Sequence, residues 1–169
     1  MNFSRTGLIM DYAAARARAL AAEQSLDLTE PVSLCSTHRH LEKLRDRKIV
    51  IRPMDGPTDK VCGLWFGLDH MDLILHAQAA SEVHRQQIVL HEFAHMILRH
   101  EQEAVAPDYV RNFFPDLDPD RVVKALKRSD FLDEFEVTAE LLADLLAARI
   151  RNSQRRAAGQ PGNFGSIFG

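Results

Sequence analysis

The chain has 169 residues, of which 46% are hydrophobic and 27% are charged, and its formal net charge is −3. This length fits one domain with a substantial core, and the composition is that of a globular rather than a disordered protein. The balance of 21 basic and 24 acidic residues excludes a strongly basic field for direct nucleic-acid binding, and two cysteines exclude a disulfide framework. With no apolar run of about 18 residues and no secretory signal, neither a membrane span nor export is expected, and a cytoplasmic protein is predicted.

Residues 1–156 are expected to form a single domain that begins with two helices. The first part, 7–47, is rich in Ala, Arg and Leu and is interrupted around Pro31, which is typical of two packing helices separated by a break. The modest apolar stripe of the first helix indicates a packing role.

A small sheet is predicted in residues 48–77. Short β-branched and apolar runs indicate about three strands in a mostly antiparallel arrangement, with 61–68 and 71–77 forming a hairpin around a two-residue turn. Gly63 and Gly67 on the middle strand are expected to mark a bulge or a close approach of backbone.

The second half of the chain is predicted to be mainly helical. Residues 81–101 contain no Gly or Pro and begin with the capping residue Ser81, and a short helix is expected from 118 to about 128. A long helix is predicted over 133–156, and the Gly-rich remainder, 157–169, is expected to be a flexible tail. The expected fold class is therefore α+β, with flanking helices around a small sheet.

The helix over 81–101 carries an H-E-x-x-H motif, formed by His91, Glu92 and His95. Residues four apart lie on one helical face, so two imidazoles at this spacing can bind the same divalent metal ion. Glu92 can then act as a general base towards a water molecule that the metal acidifies. The motif therefore predicts two metal ligands and a base within five residues.

A catalytic zinc ion usually has three protein ligands, so a third ligand is required. Glu136, Glu140 and Asp144 form an acidic stripe along the long helix, and neighbouring alanines would let that helix approach the first one closely. From spacing alone, both Glu136 and Glu140 qualify.

His100 is a weaker candidate for the third ligand. It follows His95 by five residues, whereas the metzincin pattern has a helix-breaking Gly and a different spacing, and Leu98 stands where that Gly would be. In a helix that continues to residue 101, His100 would turn away from the pair, so it is interpreted as a helix-end residue.

These motifs together resemble the ImmA/IrrE-type metallopeptidases, in particular their small stand-alone members in actinobacteria and phages. The resemblance covers about residues 28–150. It depends on four stretches of the sequence, which are Cys62–Trp65, Ile88–His95, Arg128–Ser129 and Glu136–Ala143. The downstream E-x-x-A-x-x-L-A pattern discriminates best, although the Leu-Met-Pro that often ends it is replaced by Ala147-Ala148-Arg149.

The resemblance implies a zincin-like fold in which the short sheet packs on the H-E-x-x-H helix. It implies zinc, or alternatively manganese, bound by His91, His95 and a glutamate, with Glu92 as the catalytic residue. Glu136 is preferred as that glutamate because Arg128-Ser129 then falls at the usual distance before it, and Glu140 is the second choice. The implied substrate is a regulatory protein, such as a separately encoded helix-turn-helix repressor.

Two other functions fit parts of the sequence. A peptide deformylase also uses H-E-x-x-H with an upstream Cys, but Val61 precedes Cys62 where that family has Gly, and Cys62 is interpreted as a buried strand residue. The second is a non-catalytic regulatory or toxin–antitoxin interaction protein, in which the metal is structural or absent.

Details of substrate handling stay open at this level. A peptide could add as a strand beside residues 61–75, and the Pro-rich segment 104–120 could cover the site. The donor that stabilises the oxyanion is not identified among four candidates, which are His70, His76, Arg99 and Tyr109.

Overall fold

The computed structural model describes residues 11–55, 62–79, 81–100, 102–104, 106–126 and 133–159. The helices are α1 (Tyr12–Gln24), α2 (Leu34–Arg45), α3 (Glu82–Ile97), α4 (Pro107–Phe113) and α5 (Asp133–Gly159). The strands are β1 (Lys48–Pro53), β2 (Gly63–Leu68), β3 (Met71–His76), β4 (Gln102–Ala104) and β5 (Val122–Leu126). The chain is therefore α+β, as the sequence predicts.

The strands form a mixed sheet in the order β1-β3-β2-β5-β4. β1 is parallel to β3, whereas β2 and β3 form the predicted antiparallel hairpin, with Asp69 and His70 in the turn. The three predicted strands are thus confirmed, and β5 and β4 extend the sheet antiparallel beyond β2. The register between β2 and β5 shifts at Gly67/Leu68, which confirms the irregularity expected at Gly67.

The short helix predicted from 118 to about 128 is wrong over residues 122–126, which form β5. This strand pairs with β2 on one side and with β4 on the other, so its backbone finds hydrogen-bond partners in both neighbours. Two successive valines, Val122 and Val123, also favour a strand. The last residues of the predicted helix, 127 and 128, lie outside the described residues.

The two faces of the sheet are covered by different helices. Trp65 and Ile74 face a large apolar cluster that includes residues of α2, α3 and α5. Phe66 and Leu73 face the opposite way and pack with Val110 of α4. The described part of the Pro-rich segment 104–120 therefore contains a helix, and that helix packs on the sheet face opposite to α3.

Helix α3 lies between the sheet and α5, and this position explains why its second half is apolar nearly all round. The helix begins as predicted, because the Ser81 side chain accepts a hydrogen bond from the His84 amide at 3.1 Å. The residues of α3 that become buried lie between Ile88 and Met96. The polar groups of the H-E-x-x-H motif are consequently held in a rigid, largely apolar setting.

The described part of the chain extends to slightly different bounds from those predicted at its two ends. Helix α5 continues to Gly159, beyond the predicted end at residue 156, and the rest of the predicted tail, 160–169, lies outside the described residues. The same holds for residues 1–10, including the predicted start of the first helix. Among the described residues, no helix is long and apolar enough to cross a membrane.

Candidate metal centre

Helix α3 places His91 and His95 one turn apart with their rings facing each other. Their Nε2 atoms lie 3.1 Å apart and their ring centroids 4.7 Å apart. The His95 side chain is 1% exposed and that of His91 is 28% exposed, so the pair lies at the edge of the core with one side open. Both nitrogens therefore point to one place that solvent can reach.

Helix α5 brings Glu136 to the same place. Its Oε2 lies 3.1 Å from His91 Nε2, and its Oε1 lies 3.4 Å from His95 Nε2. Ala139 and Ala143 of α5 and Ala94 of α3 are fully buried in the same apolar cluster. Their burial agrees with the expectation that alanines beside the acidic stripe let the two helices approach closely.

The other acids of the stripe point elsewhere. Glu140, the second choice for the third ligand, is exposed and influences His91 only through its charge. Asp144 accepts a hydrogen bond from Gln87 Nε2 at 2.8 Å. Among the described residues, the group with metal-ligating geometry is His91, His95 and Glu136, whose ligand atoms all lie within 4.8 Å of one another.

The spacing of these three side chains fits a small divalent ion. Tetrahedral zinc with ligands at about 2.0–2.1 Å would hold its ligand atoms about 3.3 Å apart. The observed separations of 3.1, 3.1 and 3.4 Å are close to that value. Two imidazole nitrogens and one carboxylate are also a ligand set that zinc prefers, so the residues could hold a metal ion without rearrangement.

Charges around the site favour a protonated His91 and an ionised Glu136. Burial opposes the charged form of His91, but the hydrogen bond to Glu136 and the nearby carboxylates outweigh it and raise the pKa of His91. Hydrogen bonds from His91 and then from His95 hold the pKa of Glu136 well below its usual range. Glu136 is therefore a carboxylate throughout the physiological pH range.

The metal affinity of this site is expected to fall on acidification, and to begin falling above pH 6.5. A proton on His91 competes with a metal ion, and the pKa of His91 lies above its ordinary value of 6.5. Above that raised pKa the imidazole is already neutral; below it, affinity should drop about tenfold per pH unit for each proton displaced. Competition titrations with zinc across this range measure the effect, and an affinity that stays constant down to about pH 6 would contradict it.

Glu92 is buried beside the pair, and a glycine makes room for it. Glu92 is 5% exposed, and its charge contributes to the raised pKa of His91. Gly63 of β2 lies against it, and an added Cβ there would lie 2.6 Å from Glu92 Oε1 and 3.2 Å from Glu92 Cγ. The close approach expected at Gly63 is confirmed, and it leaves room for the Glu92 carboxylate.

His100 lies in a different place from the one that the sequence predicts. Helix α3 ends at Ile97, and Arg99 adopts a left-handed conformation (φ 55°), so the chain folds back instead of continuing to residue 101. His100 Nδ1 then lies 2.7 Å from His95 Nδ1. Burial and the proximity of His95 lower the pKa of His100 to about 4, so its ring is neutral at neutral pH. Sequence reasoning missed this contact.

The remaining candidate residues either make no hydrogen bond or ion pair with the three ligands or have side chains outside the described part of the structure. Cys62 is exposed and precedes β2, so the interpretation of it as a buried strand residue is wrong. His70 and Arg99 are exposed, whereas His76 is buried with its Nδ1 2.9 Å from the Ala77 carbonyl oxygen. The side chain of Tyr109 lies outside the described part of the structure, as does Arg128-Ser129.

The strand proposed to receive a peptide is an inner strand. β2 lies between β3 and β5, and β3 lies between β1 and β2. The described part of the stretch expected to offer a free edge, 62–75, therefore forms inner strands of the sheet.

Comparisons with known proteins do not identify a family. No family model, no curated protein and no solved structure matches this chain. Its function must therefore be inferred from the site itself.

Proposed function

We propose that this chain is a zinc-dependent metallopeptidase with a zincin-like fold. The proposal rests on one observation: the ligand atoms of His91, His95 and Glu136 lie close together at a partly exposed site. A buried carboxylate, Glu92, directly follows His91 in the sequence and raises the pKa of that histidine through its charge. Three ligands together with an adjacent base are the parts that metal-assisted hydrolysis of an amide requires.

Each side chain has a distinct role in this proposal. His91, His95 and Glu136 would hold the ion, which when bound supplies Lewis acidity for activating water and polarising a carbonyl. Glu92 accepts a proton from the attacking water on its carboxylate and passes it to the nitrogen of the departing amine. The sheet contributes Gly63, which leaves the space that this carboxylate occupies.

The proposed substrate is a protein, and a separately encoded helix-turn-helix repressor is the first one to test. This choice follows from the resemblance to ImmA/IrrE-type metallopeptidases. The half-open site is consistent with a polypeptide substrate, because His91 and Glu136 are both partly exposed while His95 is buried.

To test this, the zinc-loaded chain is incubated with repressors encoded beside its gene and with a proteome-derived peptide library. The products are then identified by mass spectrometry. We expect new peptide termini that disappear on chelation and return when zinc is added back. Zinc binding without any cleavage would instead support the alternative, a non-catalytic metal-binding interaction protein.

Replacing Gly63 with Ala is expected to impair hydrolysis while leaving metal binding intact. The new Cβ would meet Glu92 Oε1 at 2.6 Å, so the base must move, whereas its other close neighbours are Ile88 Cγ2 and Glu92 Cγ rather than ligand atoms. Displacing a catalytic group by about 1 Å costs on the order of 100-fold in rate. Steady-state cleavage rates and zinc affinities of the variant measure the two effects.

Gly159 provides the control substitution, because an added Cβ there meets nothing within 4 Å. Gly159→Ala should leave cleavage unchanged. If Gly63→Ala cleaves as fast as the wild type, Gly63 does not set the position of Glu92.

A further inference from the structure

We propose that His100 is a positioning residue that fixes the tautomer and the orientation of His95. The inference rests on the proposed metal centre, in which Nε2 is the ligating atom of His95. The observation that supports it is the 2.7 Å separation between His95 Nδ1 and His100 Nδ1. At that distance two ring nitrogens share one proton, so one donates and the other accepts.

The backbone at the end of α3 creates this contact. The His100 amide donates to the His95 carbonyl at 3.1 Å, and the Arg99 amide donates to the Met96 carbonyl at 3.1 Å. This pair of hydrogen bonds, with Arg99 left-handed, is the Schellman arrangement, in which the second residue after the cap returns over the last turn. An apolar contact usually accompanies that return, whereas here two imidazoles meet.

The chemistry of a neutral imidazole then assigns the donor. His95 Nε2 faces His91 Nε2 at 3.1 Å and Glu136 Oε1 at 3.4 Å, so it is the nitrogen on the ligand side. A ligating nitrogen must carry a lone pair, which leaves the single ring proton on His95 Nδ1. His100 Nδ1 accepts a hydrogen bond from that N–H group, and the His95 ring is thereby held with Nε2 towards the site.

Phe135 supports His100 from the other side. The two rings lie 4.6 Å apart between centroids, and Phe135 directly precedes Glu136 on α5. His100 is therefore held between His95 and Phe135, and both helices that supply ligands contribute to its position.

The first test needs no variant. Nitrogen-15 NMR of the zinc-loaded wild-type chain identifies which ring nitrogen of His95 carries the proton. We expect the proton on Nδ1, with a coupling across the hydrogen bond that links it to His100 Nδ1. In a chain that binds zinc, a proton on His95 Nε2, or an Nδ1 proton without that coupling, would overturn the proposal. A chain that binds no zinc would instead contradict the proposed metal centre.

Substitutions then separate hydrogen bonding from packing. His100→Leu removes the acceptor, and we expect a zinc affinity lower by about 10- to 100-fold, the usual effect of losing an outer-shell partner. His100→Asn restores an acceptor, because Asn Oδ1 is as many bonds from Cα as His Nδ1, and it should recover most of the lost affinity. Phe135→Leu keeps His100 while removing its ring contact, and it should retain the wild-type His95 tautomer.

Equal zinc affinities for His100→Leu and the wild type would overturn the positioning role. If zinc affinity falls in His100→Leu, stays low in His100→Asn and also falls in Phe135→Leu, then His100 supports the site by packing and not by its hydrogen bond. Circular dichroism shows whether each variant is folded. If His100→Leu does not fold, the zinc affinity of His100→Asn and the NMR spectrum of the wild type test the proposal without it.

Discussion

Replacing Glu136 with Ala is expected to abolish tight metal binding. The substitution removes the carboxylate that approaches both imidazoles, at 3.1 Å from His91 and 3.4 Å from His95. Loss of an outer-shell partner already costs about 10- to 100-fold in affinity, so loss of a direct ligand should cost more than about 100-fold. Competition titration with a chromophoric zinc chelator measures the change.

Glu140→Ala is the matched control for this prediction. It removes the same side chain from the same helix one turn later, where the carboxylate is exposed and lies outside the ligand group. We expect its zinc affinity to stay within about threefold of the wild type, because an exposed charge contributes little to nearby interactions. The opposite pattern, with affinity lost in Glu140→Ala and kept in Glu136→Ala, would exchange the two roles.

Replacing Glu92 with Gln is expected to stop hydrolysis without releasing the metal. Glutamine nearly preserves the shape of the buried side chain, but it cannot take up a proton. General acid–base catalysis contributes about 10²–10⁴-fold to the rate, and the cleavage rate should fall by that amount. The measurement compares cleavage rates and bound zinc for the two chains at the same pH.

Bound zinc distinguishes this effect from simple damage to the site. Glu92 is not in the ligand group, so the variant should contain as much zinc as the wild type. A variant that keeps its zinc and cleaves at the wild-type rate would show that Glu92 is not the base. A variant that retains every regulatory effect of the chain without cleavage would favour the non-catalytic function.

The parts of the fold that follow from local patterns are predictable from this sequence. Two apolar runs separated by only Asp69 and His70 predict the β2–β3 hairpin, and Ser81 predicts the start of α3. The i,i+4 spacing of His91 and His95 fixes their shared face before any tertiary structure is known. Each of these features depends on residues that are close to one another in the sequence.

Two features that local patterns do not decide depend on contacts between distant parts of the chain. Residues 122–126 form a strand because β2 and β4 pair with them. The prediction of a helix depends on the local pattern at Asp118 to Asp120, which contains no information on these distant strands. Glu136 and Glu140 have the same periodicity, so only the crossing of α5 over α3 separates them. Propensity and spacing carry no information on that crossing.

His100 was misplaced for a different reason. Helix α3 lacks the Gly that usually marks a left-handed end, and Arg99 adopts that conformation in its place. A usable signal does exist in the sequence, since His95 and His100 are five apart. That is the spacing at which the Schellman arrangement brings two residues together.

X-ray absorption spectroscopy of the zinc-loaded wild-type chain tests the central claim most directly. The account predicts one zinc ion per chain with only nitrogen and oxygen neighbours, including two imidazoles at about 2.0–2.1 Å. A sulfur neighbour at about 2.3 Å would place a cysteine in the site, and a chain that binds no zinc at all would contradict the metallopeptidase proposal.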